Sequence, residues 1–129
     1  MPKVLIVEDE QKLITYLTPL LTKRGFEVIS ASTGQEALEI YPKEKPDAVL
    51  LDLGLPGEIS GYDVLADIKS NAPEIKVAII TGYSESYVKD KTSSLGAELF
   101  FKKPFVPHKL FVALEQILDL QKGEEGKNE

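Results

Sequence analysis

In this 129-residue chain, polar side chains able to do chemistry fall at the ends of apolar runs. Glu8 and Asp9 follow "KVLIV", Asp52 closes "DAVLLD", Thr81 follows "IKVAII", and Lys103 comes just after "ELFF". Three carboxylates brought to one point repel each other and raise their own pKa values unless a cation sits among them. A few hard oxygen ligands with room for water suit Mg2+ or Mn2+. The Lys103 ammonium supplies a second positive charge. A metal, a lysine and a hydroxyl around one carboxylate are equipped to stabilise the oxygens of a transferred phosphoryl group. In that chemistry Asp52 is the nucleophile, Thr81 and Lys103 flank it, and Glu8, Asp9 and Asp52 face the metal. Taken singly, each residue has a plain structural explanation: an acidic pair caps a helix, a threonine bonds locally, a lysine before proline is solvated. Their joint placement carries the reading.

That placement requires strand ends that meet. The apolar runs cover 3–7, 26–30, 47–51, 75–80 and 98–101. Their spacing leaves room each time for one helix and two short loops, the βα unit of a parallel sheet. In open α/β sheets, sites form beyond the carboxyl ends of the strands. Every such end except the second carries one of the candidate groups.

The intervening segments read as helices. Leu13, Ile14, Leu17, Leu20 and Leu21 keep helical spacing, as do Leu110, Phe111, Leu114, Ile117 and Leu118. Thr33 and Glu36 form a candidate capping box for the second helix, with Ala37, Leu38 and Tyr41 as its apolar stripe. Val64, Leu65 and Ile68 mark the third. Pro19 lies inside the first pattern and predicts a kink or local irregularity. The fourth helix, Ser84 to Leu95, has only Val88 and Leu95 as strong anchors, which predicts a loosely held element.

Composition narrows the classes. Hydrophobic residues are 43% and charged residues 28%, ordinary for a globular domain, and the length favours a single core. With no cysteine and one histidine, disulfide frameworks and cysteine- or histidine-rich metal sites are excluded. The net charge is −6 and the basic residues are scattered, so no basic stripe marks a direct nucleic-acid binder. No apolar run is long enough to span a bilayer and the first residues lack a signal-peptide pattern, which predicts a cytoplasmic protein without membrane insertion. Residues 122–129 are polar and aperiodic, the expected flexible tail of a domain covering 1–121, and no attached output domain is expected.

"VLIVEDE", "AVLLDLGLPG", "IITG" and "GAELFFKKPF" together resemble the receiver domains of two-component response regulators, in order and spacing, across about residues 3–120. The similarity is to a stand-alone, chemotaxis-type receiver. It implies a doubly wound, flavodoxin-like (βα)5 fold with strand order 2-1-3-4-5. It also implies phosphoryl acceptance on Asp52 from a sensor histidine kinase or phosphotransfer protein, in a signalling module that catalyses only its own phosphorylation and dephosphorylation. By the same resemblance Asp9 ligates the metal directly, Glu8 assists through water, and the Gly54 carbonyl is a third protein ligand. Thr81 contacts the phosphoryl group, Gly82 gives it access, Lys103 pairs with the acyl phosphate, and Lys103–Pro104 is a cis peptide. Thr81 and Phe100 become the switch pair. Gly54 and Tyr83 flank the path of a hydrolytic water. The face 84–121 is implied to meet a downstream protein.

Two departures from the family pattern stand out. "LPGEISG" is one residue longer than the usual loop after the acceptor, which predicts a bulge before the third helix. Phe100 replaces the commoner tyrosine, so it carries no hydroxyl to satisfy in either rotamer. Two rivals remain at this point. A flavodoxin-like phosphate binder needs a Ser/Thr/Gly-rich loop where this chain has "EDEQ". A metal-dependent phosphatase with an Asp nucleophile needs an acid near Asp52, where Leu53 and Gly54 offer none. His108, after Pro107, reads as a surface residue at a helix start.

Overall fold

A computed structural model of the chain describes residues 1–83 and 86–119. Five strands alternate with five helices: β1 Lys3–Val7, α1 Gln11–Lys23, β2 Glu27–Ala31, α2 Gly34–Glu44, β3 Ala48–Asp52, α3 Gly61–Asn71, β4 Lys76–Thr81, α4 Ser86–Ser94, β5 Leu99–Lys102 and α5 Pro107–Ile117. The sheet is parallel, in the order β2-β1-β3-β4-β5. All five residues of β3, at its centre, are buried. No helix among the described residues is long and apolar enough to cross a membrane.

The alternation of side chains along each strand divides the core in two. Val4, Ile6, Leu50, Ala78 and Ile80 meet α1 and α5 through Leu17, Leu21, Leu110 and Leu114. Leu5, Val7, Val49, Leu51, Val77 and Ile79 meet α2, α3 and α4 through Ala37, Tyr41, Leu65, Ile68 and Val88. With both faces covered, the strand ends and their loops are where polar groups gather.

Helix ends explain where the expected boundaries shift. β2 begins one residue later than its apolar run because Phe26 belongs to the end of α1. Its N–H reaches the Leu21 carbonyl and that of Gly25, at φ +94°, reaches Thr22, a Schellman stop. β1 keeps its expected bounds, while β3, β4 and β5 also sit one residue further on, and β3 thereby takes in Asp52. α1 runs unbroken through Pro19. The carbonyl deprived of its amide partner belongs to exposed Thr15, where water can serve it. α2 contains a second internal proline, Pro42.

At the start of α2, Thr33 accepts from the Glu36 N–H as expected, but Glu36 reaches back to the Ser32 N–H, one residue before the cap. The complete reciprocal box is at α3, between Ser60 and Asp63. α4 is observed from Ser86, and its expected start at Ser84 lies outside the described residues. So does the expected tail at 122–129. α4 buries only Val88 and Thr92, in keeping with its thin apolar pattern.

The loop Leu53–Ser60 joins β3 to α3, and Gly57 within it takes φ +94°. Ile59 closes this loop against the start of α2. A β-carbon on Gly34 would lie 2.5 Å from the Ile59 carbonyl oxygen.

Candidate functional site

Parallel register brings the candidate groups to one edge. Val7 lies opposite Leu51, Asp52 opposite Ile80, and Thr81 opposite Lys102. Residues one or two positions beyond these pairs therefore share the carboxyl end of the sheet. Glu8 is wholly buried and Asp52 and Thr81 almost so, at 6% and 1% exposure, whereas Asp9 is exposed.

Lys103 is the electrostatic centre. Its ammonium donates to Glu8 Oε2 at 2.7 Å and to Asp52 Oδ2 at 3.4 Å. The backbone places it there: the Lys103 N–H donates to the Thr81 carbonyl at 2.6 Å, and the Lys103–Pro104 peptide is cis, as the family resemblance implies. Burial alone lowers the pKa of Lys103, but the Glu8 hydrogen bond and the fields of Asp52 and Glu8 outweigh it, so the net shift is upward. For Glu8, burial raises the carboxyl pKa above its ordinary value, and the bonds from Lys103 and the Glu10 N–H oppose this only in part.

Backbone amides hold the acidic groups in place. Glu8 Oε1 accepts from the Glu10 N–H at 3.1 Å, and Asp52 Oδ1 accepts from the Gly54 N–H at 3.1 Å. The Thr81 hydroxyl oxygen accepts from the Tyr83 N–H at 3.2 Å. α3 packs closely on the end of β3. A β-carbon on Gly61 would come within 2.6 Å of the Asp52 carbonyl oxygen and 2.7 Å of Leu53 Cα.

Oxygen atoms of Glu8, Asp9 and Asp52 lie within 4.8 Å of one another. This all-carboxylate set, hard and anionic, fits a magnesium-type cation. The expected residues Glu8, Asp9, Asp52, Thr81 and Lys103 are therefore gathered at one edge. Gly54 sits beside Asp52 through its amide. Phe100 lies on β5, next to the strand that carries Thr81, half-buried opposite Ile79, in the cluster that includes Val88.

Two groups near the site were not singled out from the sequence. Gly61 has a signal in hindsight, as a glycine directly after a Ser cap, where the close approach of the helix needs a missing Cβ. Lys91 and Tyr62 have none: the Lys91 ammonium lies 4.2 Å from the centre of the Tyr62 ring. That contact depends on how two helices sit side by side.

A five-stranded 2-1-3-4-5 sheet with this acidic edge and its lysine defines a class, and residues 4–115 match the family model of the response regulator receiver domain. The chain belongs to that family, the phosphorelay signalling modules of two-component systems. Sporulation initiation phosphotransferase F of Bacillus subtilis (strain 168) is 35% identical over 119 residues, covering 92% of this chain and 95% of that protein. The alkaline phosphatase synthesis transcriptional regulatory protein PhoP of the same organism is 34% identical over 116 residues, covering 90% of this chain. Here the chain spans about half, 48%, of its relative's length. Among solved structures, a CheY-like receiver domain protein from Methanospirillum hungatei JF-1 superposes with a TM-score of 0.88 at 27% identity, covering 96% of this chain and 98% of that one. The flavodoxin-like binder and the phosphatase are not favoured by these findings.

Proposed function

We propose that Asp52 is the phosphoryl acceptor of this receiver, and that its donor is the phosphohistidine of a sensor kinase or phosphotransfer protein. The observation that supports this best is the Lys103 ammonium shared between Asp52 and Glu8, with the Thr81 hydroxyl at the same sheet edge. An Asp52 carboxylate oxygen attacks phosphorus as the P–N bond of the donor breaks, and the bond's electron pair leaves with the imidazole. Lys103 pairs with the acyl phosphate, and Thr81 donates its hydroxyl proton to a phosphoryl oxygen. Glu8, Asp9, Asp52 and the Gly54 carbonyl would hold Mg2+ or Mn2+, whose charge there offsets that of the phosphoryl oxygens. Asp52 at the end of a fully buried strand is held without reorganisation, which favours in-line attack.

In this reading the receiver promotes only its own phosphorylation and dephosphorylation. The domain covers 1–121, and the output is a change of the face formed by α4, β5 and α5, read by another protein. Drawing the Thr81 hydroxyl toward phosphoryl oxygens frees space for the Phe100 ring, which already lies against the Val88 cluster. Completing the burial of this half-buried ring is worth about half the value of a full burial, roughly 0.7–1.5 kcal/mol, enough to shift a two-state equilibrium by about three- to twelvefold.

The test is mass spectrometry after incubation with a small acyl-phosphate donor and Mg2+. One phosphoryl adduct is expected, absent without the metal and absent in Asp52→Asn. An adduct of equal yield in Asp52→Asn refutes the assignment.

A further inference from the structure

We infer that Tyr62 and Lys91 form a latch holding α4 against α3 in the resting protein, and that they are thereby positioning residues for phosphoryl acceptance. The inference rests on Asp52 as the acceptor and adds how its state is set from outside the site.

α4 has few other restraints. Its only buried side chains are Val88 and Thr92, and the Thr92 hydroxyl donates to the Lys89 carbonyl within the same helix. Among the described residues Lys91 has no carboxylate within ion-pair distance. Its ammonium lies 4.2 Å from the centre of the Tyr62 ring, a cation–π geometry. At its far end α4 is stopped by Gly96 at φ +106°, with the Ala97 N–H on the Thr92 carbonyl and the Gly96 N–H on that of Ser93.

The other half of the latch is anchored to the acceptor. Tyr62 follows Gly61, whose α-carbon is seated so closely on the Asp52 carbonyl that no Cβ fits between them. The ring is therefore tied to the β3 end, while Lys91 is tied to α4. The chain leading into α4 begins at Thr81, whose hydroxyl oxygen holds the Tyr83 N–H at 3.2 Å. Movement of that hydroxyl toward a phosphoryl group on Asp52 pulls on Tyr83 and the start of α4. A helix fastened to α3 resists the pull. The latch thus favours the resting arrangement, and by linkage a phosphoryl mimic must weaken it as much as it opposes the mimic.

The experiment measures beryllofluoride binding in the presence of Mg2+, by chemical-shift titration, and amide exchange across 86–97 without it. Lys91→Met keeps the aliphatic stem and removes the charge; Tyr62→Leu removes the ring. Each should bind the mimic about two- to fivefold more tightly, the range of an exposed cation–π contact, and exchange α4 amides faster by a similar factor. Lys91→Arg should restore parental values. Lys91→Met added to Tyr62→Leu should bring no further tightening. Parental affinity in both single variants, or weaker binding, overturns the latch while leaving Asp52 as acceptor. A parent protein that takes up no beryllofluoride overturns both readings. Thermal melts separate a general loss of folding from a local release of α4, since only the latter spares the protection of β3 and β4.

Discussion

Gly61→Ala tests the seating of α3 on β3. The new methyl would lie 2.6 Å from the Asp52 carbonyl oxygen, 2.7 Å from Leu53 Cα and 3.1 Å from Leu53 Cδ2. The first two neighbours are backbone in or next to a fully buried strand, so neither can swing aside. Relief requires a retreat of the helix by about 0.5 Å, and overpacking of this kind costs about 1–3 kcal/mol. Alanine's better helix propensity offsets less than about 1 kcal/mol, and less still in a first turn. The net loss is therefore about 2 kcal/mol. With an unfolding entropy near 0.25 kcal/mol/K for about 120 ordered residues, the melting temperature should fall by about 8 °C.

Gly82→Ala is the matched control. It lies beside the same site, but a β-carbon there meets nothing within 4 Å and its φ is not positive, so its stability should stay within about 0.5 kcal/mol of the parent. Phosphoryl uptake in Gly61→Ala should slow roughly tenfold, because a shift of half an ångström at the carbonyl re-aims the carboxylate. Melting curves and the time course of the mass adduct measure both effects. An unchanged melting temperature in Gly61→Ala, or an equal loss in Gly82→Ala, would show that close approach at Gly61 does not hold Asp52.

Lys103→Met leaves buried Glu8 without its ammonium partner and should cost about 3 kcal/mol in urea unfolding at neutral pH, the low end for a broken buried pair because Lys103 is partly exposed; an unchanged midpoint refutes this. Asp9→Ala should remove most Mg2+ affinity while raising the metal-free melting temperature slightly, since exposed Asp9 adds repulsion but is well solvated; melts with Mg2+ and with a chelator separate the two effects. A β-carbon on Gly54 would lie 3.8 Å from Asp52 Oδ1 and 3.9 Å from the Tyr83 hydroxyl. Gly54→Asn and Tyr83→Ala should therefore change the lifetime of the phosphorylated form, and parental hydrolysis rates in both would exclude that control. The Tyr41 phenol is raised above 10.0 by burial and then by its bond to Asp67. Its stabilisation is full below pH 10 and is lost as the pH climbs through the raised value, so Tyr41→Phe should flatten the alkaline fall in stability, and difference absorbance should show a transition above pH 10 that Tyr41→Phe removes.

The strand ends were legible because a polar residue closing an apolar run has few places to go in a sheet covered on both faces. Asp52 and Thr81 show this most simply: each ends a strand whose four preceding residues are buried. Features set by packing between segments distant in the chain were not legible. The longer loop after Asp52 could be seen to need a bulge, but not that Ile59 would close on Gly34. Nor does periodicity report that Lys91 meets Tyr62, since a small rotation of α4 would separate them. The lysine is the sharpest case. The family resemblance assigns Lys103 to Asp52 and its acyl phosphate, yet its shorter contact, 2.7 Å against 3.4 Å, is to Glu8. Desolvation explains the choice: Glu8 is wholly buried and Asp52 retains some contact with water, so the ammonium goes to the carboxylate that solvent serves least. On the proposed reading, a phosphoryl group on Asp52 would reverse that ranking by placing new anionic oxygens within reach of the same ammonium. Lys103 would then be held ready by one acid for use on the other, which would give a residue as costly to bury as Glu8 a reason to stand at this edge.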